Sequence, residues 1–304
     1  MANLTVNIAG LELKNPVITA SGTYGSGLEY GRLIDINRLG AICTKTVTLQ
    51  PFGGNPPPRL WETPCGMLNS IGLQNDGIES FIAKDLAFLA KYDLPVIVSI
   101  AGTSVDDCSR LAKILSPLPE VDALELNISC PNVKAEGVIF GSSEKMASEV
   151  VAKTRLATTK PLIVKLTPNT GNIAAVAAAC ERAGADALSL INTVLGMAVD
   201  INTLKPRLGN VVGGLSGPAI KPIGVRMVWE VANTVGLPII GMGGIVTAAD
   251  ALEYVIAGAT AVAVGTANFI DPQAPLKVIE GIENYLDEHK IDKVSRLIGA
   301  IRID

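Results

Sequence analysis

Aromatic and histidine residues are scarce in this chain of 304 residues: 4% of the residues are aromatic and there is one histidine, His289. His289 lies in a polar helical segment near the C-terminus, so we expect it to be a solvated surface residue. With one histidine, a His-based catalytic triad and a histidine-rich site are not expected, and we predict no metal site. A catalytic base therefore has to come from another residue type.

Long apolar runs, positive net charge and paired cysteines are also missing. No stretch approaches the roughly 18 unbroken apolar residues of a membrane span, although the mean hydropathy is +0.39. The net charge of −4 disfavours nucleic-acid binding, which needs a basic surface. The start MANLTVNIAG has no basic segment before an apolar core, and the five scattered cysteines form no CxxC pair. We expect a cytoplasmic protein with reduced thiols that binds neither membranes nor nucleic acid.

Short apolar, β-branched runs recur along the chain, as in buried parallel strands. Eight strands are predicted, at Pro16–Ala20, Ala41–Thr44, Pro95–Ile100, Ala123–Ile128, Pro161–Leu166, Ala187–Ile191, Pro238–Met242 and Ala261–Val264. Helical spacing of apolar residues predicts helices at Asn75–Tyr92, Ser104–Leu115, Ser143–Thr158, Asn172–Ala183, Ile220–Val235, Ala248–Ala257 and Pro275–Leu286. An alternating segment around Ala9-Gly10 precedes them and predicts a β-hairpin.

This alternation predicts an α/β fold, a single (β/α)8 TIM barrel spanning residues 1–304 with an N-terminal β-hairpin. A doubly wound open sheet is the alternative architecture. Three connections are longer than a simple strand-to-helix loop: Val47–Gln74 after strand 2, Ser129–Gly141 after strand 4 and Thr193–Pro218 after strand 6. Long loops in a compact domain are usually functional, and in a barrel the loops after the strands build the active site.

Polar residues recur where the predicted strands end. Lys45 and Lys165 end apolar strands, and a lysine inside a barrel is costly unless an anionic or electron-rich group lies near it. Gly243-Gly244 and Gly265-Thr266 follow strands 7 and 8, where barrels commonly bind phosphate through main-chain N–H groups. The sequence therefore predicts a phosphate-bearing ligand at this rim.

Cys130 stands just beyond strand 4, in the segment NISCPN. A thiolate is one of the few bases active near neutral pH that this chain can supply, so we predict Cys130 as a base. Four asparagines at the rim, Asn69, Asn127, Asn132 and Asn192, carry amides that would match a planar ring with N–H and C=O groups, such as a pyrimidine. The other cysteines, Cys43, Cys65, Cys108 and Cys180, are expected to be structural.

Over nearly its whole length the chain resembles the family-1 dihydroorotate dehydrogenases, flavin enzymes of pyrimidine synthesis. The resemblance is carried by the segments ITASGTYG, CTKTVTLQPFGGNPPPR, NSIGLQNDG, LELNISCPNVKAEG, LIVKLTPN, LSLINT, GGLSGPAIKPI, IIGMGGI and AVAVGTA. NSIGLQN together with PRLWETPCGML resembles the NAD-linked class 1B more than the fumarate-linked class 1A. Class 2 enzymes use a serine base and a membrane-associating N-terminal extension, unlike Cys130 and the short N-terminus here.

The resemblance implies an FMN cofactor, a dihydroorotate substrate that becomes orotate, and Cys130 as the catalytic base. The residues that match the FMN-binding positions are Ser21, Lys45, Thr46, Asn127, Lys165, Ile191, Gly217, Gly243, Gly244, Gly265 and Thr266. Those that match the substrate-binding positions are Lys45, Asn69, Ser70, Ile71, Gly72, Leu73, Asn127, Asn192 and Thr193. Two positions depart from the family pattern: Ser99 stands where many relatives have Asn, and Asp76 where proline is frequent.

Class 1B enzymes pair with a second subunit that carries FAD and a 2Fe-2S cluster and passes electrons to NAD+. This chain has no GxGxxG after its first strand and no cysteine spacing for a cluster. The resemblance therefore implies a homodimer of this chain with one electron-transfer subunit on each copy, a heterotetramer.

Three other functions are consistent with parts of the pattern. The first is the fumarate-linked class 1A enzyme, which needs no partner. The second is a flavin-independent barrel lyase or isomerase that uses Lys45 or Lys165 as a Schiff base. The third is a flavin-binding scaffold without catalysis.

Overall fold

Eight parallel strands form the centre of the molecule in a computed structural model that describes residues 2–129 and 140–303. In chain order the barrel strands are Val17–Thr19, Ile42–Cys43, Val96–Ile100, Ala123–Asn127, Leu162–Lys165, Ala187–Leu190, Ile239–Met242 and Ala261–Val264. Each of the eight predicted strands contains one of them. Strands consecutive in the chain are neighbours from the second to the eighth, and the eighth pairs with the first.

A parallel bridge between Ile18 and Ala41 joins the first strand to the start of the second, so the sheet closes into a barrel. The predicted (β/α)8 barrel is confirmed, and the open doubly wound sheet is wrong because an open sheet has two unpaired edges. Nearly all strand residues are fully buried on both faces, which explains why they read as continuous apolar runs.

Helical segments follow all seven predicted spans and surround the strands, and the short helix Ala267–Ile270 was not predicted. They are Gly77–Ser80, Phe81–Leu86 (π-helical) and Ala87–Leu89 in one continuous segment, then Val105–Leu115, Glu144–Arg155, Ile173–Arg182, Lys221–Ala232, Ala248–Ala257, Ala267–Ile270 and Ala274–Glu288. Short 3-10 turns lie at Tyr30–Arg32, Ile36–Arg38, Phe140–Ser142, Pro218–Ile220 and Val294–Leu297. Among the described helices, none combines the length and the apolar character that crossing a membrane requires.

Side-chain caps fix several helix starts. Ser104 and Thr247 each form a reciprocal capping box, with Asp107 and Asp250 respectively. Gly258 ends the helix Ala248–Ala257 with φ +125°, a conformation that glycine adopts without a steric penalty.

Two of the three long connections form a second sheet across the C-terminal rim of the barrel. Leu60–Thr63 and Gly66–Asn69 come from the connection after strand 2, and Val194–Met197 and Val212–Ser216 from the connection after strand 6. Gly66–Asn69 pairs antiparallel with Val212–Ser216, so the two connections are joined. We call these four strands the rim sheet; the strands Val199–Asp200 and Lys205–Pro206 form a separate hairpin.

The N-terminal hairpin is present as Val6–Ile8 paired with Leu11–Leu13. His289 is exposed, as predicted, and stacks on Tyr285 with ring centroids 4.0 Å apart. Cys43, Cys108 and Cys180 are buried, whereas Cys65 is exposed at the turn of the first rim-sheet hairpin.

Candidate active site

A cavity of about 340 Å³ lies between the C-terminal ends of the barrel strands and the rim sheet. Its size falls within the range of about 300–1,000 Å³ that is usual for small-molecule sites. The barrel contributes charged and polar side chains from strand ends, and the rim sheet contributes Leu60, Met67, Asn69, Gly214 and Ser216. The cavity is therefore where the loops after the strands meet, as the barrel fold predicts.

The structure brings nearly all of the predicted site residues to this one cavity. Those that line it are Ser21, Lys45, Thr46, Asn69, Ile71, Gly72, Leu73, Asn127, Lys165, Ile191, Asn192, Thr193, Gly217, Gly243, Gly244, Gly265 and Thr266. Ser70 does not line it: the side chain is fully buried, and its main-chain N–H donates to Arg59 O at 2.8 Å. Cys130, the predicted base, and Asn132 lie outside the described residues.

Lys165 is the charged group at the base of the cavity. Lys165 is 5% exposed, and its Nζ donates a hydrogen bond to Ser21 Oγ at 3.1 Å. Its ion-pair partner is the buried carboxylate of Glu125, with 3.8 Å between Nζ and Oε1. The ammonium is thus held between a hydroxyl on the first strand's rim and a carboxylate deeper in the barrel.

Two of the predicted asparagines are joined through Ser129. Asn127 Oδ1 accepts hydrogen bonds from the main-chain N–H of Ser129 at 3.2 Å and from its Oγ at 2.7 Å. Asn192 Nδ2 donates to the same Ser129 Oγ at 2.7 Å. Asn69 approaches from the rim sheet, where its Nδ2 donates to Gly214 O at 3.3 Å. The amides of strands 4 and 6 therefore have fixed orientations toward the cavity.

Tyr254 fixes the two-glycine turn after strand 7. Its buried hydroxyl donates to Gly243 O at 2.7 Å, and burial, aided by Glu253 and Asp250, raises the pKa of Tyr254, so the group remains a donor. A trans peptide points its N–H opposite to its C=O, so the Gly244 N–H points away from Tyr254. Gly243 and Gly244 line the cavity with φ +125° and +71°. Such a turn presents main-chain N–H donors to an anion without obstruction by side chains.

Some residues that line the cavity were not assigned to the site from the sequence, notably Thr23, Ser216 and Phe269. Ser216 accepts a hydrogen bond from Thr266 Oγ1 at 2.8 Å, which links the rim sheet to the end of strand 8. Its position directly before Gly217 in the motif GGLSGPAI was the available signal. Ser99, where the family pattern often has Asn, is fully buried and does not line the cavity.

Comparison with known proteins agrees with the motifs. The family model described as dihydroorotate dehydrogenase matches residues 3–286. The chain belongs to the dihydroorotate dehydrogenase family. Within this dihydroorotate dehydrogenase family, similar curated proteins from Pelobacter propionicus and Alkaliphilus oremlandii are 54% and 55% identical over 299 residues. The first alignment covers 98% of both chains, and the second covers 98% of this chain and 99% of the relative.

A relative from Thermoanaerobacter sp. is 53% identical over 302 residues, which cover 99% of this chain and all of the relative. All three carry the name dihydroorotate dehydrogenase B (NAD(+)), catalytic subunit. The predicted family and its NAD-linked class are confirmed, and the fumarate-linked and Schiff-base alternatives lose their support.

Proposed function

We propose that this chain is the catalytic subunit of an NAD-linked dihydroorotate dehydrogenase, which oxidises dihydroorotate to orotate in pyrimidine (UMP) synthesis. The observation that carries the proposal is the convergence of Lys45, Lys165, Asn69, Asn127 and Asn192 on one cavity in a member of this family. Cations and amides are the groups that would recognise a carboxylate-bearing ring with imide N–H and C=O groups.

The residues around the cavity fit FMN. Gly243 and Gly244 offer a main-chain turn for its phosphate, together with Gly217, Gly265 and Thr266. Lys165 would offset negative charge on the flavin ring, and Ser21, Lys45, Thr46, Asn127 and Ile191 would contact it. Bound FMN would supply the acceptor for a hydride from C6 of dihydroorotate. Residues 1–304 would form one FMN-binding barrel domain.

Substrate would lie against the face formed by Asn69, Asn127, Asn192, Thr193 and Lys45. Ser70, Ile71, Gly72 and Leu73 would complete its binding loop, with Ser70 acting from behind the lining. Holding the ring in one orientation lowers the entropic part of the barrier. Cys130, as a thiolate, would take the proton from C5 while the hydride leaves C6 on the opposite side.

The electrons would leave this chain through a partner. The words "catalytic subunit" in the relatives' name imply a separate subunit. We propose that it carries FAD and a 2Fe-2S cluster, that NAD+ is the final acceptor, and that a homodimer of this chain binds two such subunits in a cytoplasmic heterotetramer. Among the described residues, no cluster of three or more His, Cys, Asp or Glu is placed to hold a metal.

Anaerobic bleaching tests cofactor, substrate and reaction together. The purified protein is expected to be yellow, to release FMN on denaturation, and to lose its flavin absorbance when dihydroorotate is added without oxygen. Orotate should form in an amount equal to the reduced flavin. A colourless protein, or a yellow one that dihydroorotate does not bleach, would contradict the proposal; the latter result would favour a flavin-binding scaffold.

A further inference from the structure

The carboxylate of Glu125 lies inside the barrel, beneath the cavity and two residues before the cavity-lining Asn127 on the same strand. Along the strand Ala123–Asn127, side chains alternate between the two faces, so Glu125 and Asn127 point the same way. Asn127 lines the cavity, whereas Glu125 does not and is 2% exposed. A buried carboxylate is costly unless it is paired and hydrogen-bonded, so this position requires a reason.

Both oxygens of Glu125 are held by hydroxyl groups on other barrel strands, one on the neighbouring third strand and one on the sixth strand, beyond the fifth. Ser99 Oγ donates to Oε1 at 3.0 Å, and Ser189 Oγ donates to Oε2 at 2.9 Å. Thr46, which lines the cavity, lies with its Oγ1 3.0 Å from Ser99 Oγ. The Cys43 thiol also faces Glu125: burial, with Glu125 adding to it, raises the thiol's pKa well above its usual value. The two serine hydroxyls thus fix the plane of the carboxylate.

Lys165 is the cationic partner of this fixed carboxylate. Its Nζ lies 3.8 Å from Glu125 Oε1 and donates to Ser21 Oγ at 3.1 Å on the other side. A lysine ammonium on a four-carbon chain has many rotamers, so its position depends on what holds it. Strand register supports the arrangement, because Ser99 is opposite Glu125 and Ser189 is opposite Lys165 on adjacent strands.

We propose that Glu125 is a positioning residue that sets both the place and the effective charge of Lys165 at the base of the cavity. Ser99 and Ser189 fix the carboxylate, and the carboxylate in turn holds the ammonium and offsets part of its positive charge. A ring bound above Lys165 then experiences the electrostatic field of an ion pair, which is weaker than that of a lone ammonium group. This inference rests on the proposed function, because it concerns the residue expected to face the flavin.

Glu125→Gln tests the role of the carboxylate's negative charge, since glutamine has nearly the same shape as glutamate but is neutral. The probe is sulfite, which adds to an oxidised flavin and leaves negative charge on the ring, so an uncompensated cation nearby favours it. We expect the sulfite dissociation constant of the FMN-loaded variant to fall at least tenfold and its flavin potential to rise. Glu125→Asp should return both values toward wild type.

The matched control is Asp186→Asn. Asp186 is also paired, with Arg155, and accepts a hydrogen bond from the Leu162 N–H at 2.8 Å, but it precedes its strand and lies at the opposite end of the barrel. The sulfite affinity and the flavin potential of the Asp186→Asn variant should equal those of wild type. A folded Glu125→Gln variant within twofold of wild type in sulfite affinity would overturn the inference. If the purified wild-type protein contained no FMN, the proposed function itself would be overturned instead.

A double variant keeps the test decisive if Glu125→Gln alone does not fold. Removing one partner of a buried pair leaves the other charge unpaired, whereas removing both does not. Glu125→Gln with Lys165→Met should therefore unfold at a higher temperature than either single variant, measured without added flavin. A double variant no more stable than Glu125→Gln would assign Glu125 a purely structural role and overturn the proposal.

Discussion

At the scale of single residues, the polar side chains inside the barrel separate into a binding layer and a supporting layer. Lys165 and Asn127 line the cavity, while Glu125, Ser99 and Ser189 lie behind them. The sequence indicated the binding layer, because lysine and asparagine at strand ends are unusual in a buried strand. Glu125 was visible in the same way, as a charged residue in an apolar strand, but its contacts with Ser99 and Ser189 were not, because the three residues lie on three different strands.

Cys130 is the residue whose replacement tests the proposed base. General bases typically contribute about 10²- to 10⁴-fold to a rate, so Cys130→Ser should lower the rate of flavin reduction by dihydroorotate by that order. The wild-type rate should rise with pH as the thiol ionises, from a reference pKa of about 8.5. Stopped-flow flavin reduction between pH 6 and 9 measures both effects.

Cys65→Ser is the control for this experiment, because Cys65 is exposed and does not line the cavity. Its pH profile should match that of wild type. If Cys130→Ser and wild type had the same flat profile, Cys130 would not be the base.

At the scale of elements, the helix Ala248–Ala257 holds the two-glycine turn through Tyr254 and depends on close packing at Gly241. A Cβ at Gly241 would lie 2.6 Å from Tyr254 Cδ1. Gly241→Ala is therefore expected to lower the free energy of unfolding by about 1–3 kcal/mol through overpacking. It should also weaken FMN binding, because the ring that anchors the Gly243 carbonyl has to move.

Urea unfolding and FMN titration measure the two effects. Gly171→Ala is the matched control, since a Cβ there would meet no atom within 4 Å. Equal stability of the two variants would show that the contact between Gly241 and Tyr254 does not constrain the turn.

Asp250, at the start of the same helix, makes stability depend on pH. Burial acts to raise the pKa of Asp250, but hydrogen bonds from Lys221 Nζ at 2.8 Å and the Thr247 N–H at 2.8 Å outweigh it, so the pKa is lowered. A lowered pKa gives a contribution that is fully present above the unfolded value of about 3.9 and is lost as the pH falls below it. Asp250→Asn should thus lower the free energy of unfolding most between pH 6 and 7, and progressively less below about pH 4.

The comparison variant is Asp292→Asn, which removes an exposed ion pair with Arg296. Exposed pairs contribute about 0–1 kcal/mol, so its cost should be small at every pH. An Asp250→Asn cost that does not change between pH 7 and 3 would contradict the assignment.

At the scale of the whole molecule, the barrel was predictable and the rim sheet was not. Eight apolar runs separated by helical spacing leave a local pattern in the sequence, and each run contains a strand. The rim sheet pairs Gly66–Asn69 with Val212–Ser216, segments that are far apart in the chain and rich in glycine. Such pairing leaves no local periodicity, so the sequence indicated only that these two connections are long, not that they pair.

The proposed division of work between two subunits gives a prediction for the whole assembly. With dihydroorotate as donor, this chain alone should reduce an artificial dye but not NAD+. NADH should form only after the FAD and 2Fe-2S subunit is added, and fumarate should remain inert. Absorbance at the NADH band measures this, and NAD+ reduction by the isolated chain would contradict the proposed partner.

The pairing of the two rim connections also constrains how this protein can change over evolutionary time. A Cβ at Gly66 would lie 2.0 Å from Ser216 O, and one at Gly213 would lie 2.6 Å from Asn69 O. Neither connection can therefore gain a side chain at these points unless the other moves. Chimeras of related sequences joined between residues 70 and 193 would take the two halves of the rim sheet from different parents. Fewer of them should fold than of chimeras joined after residue 217, which take the whole rim sheet from one parent.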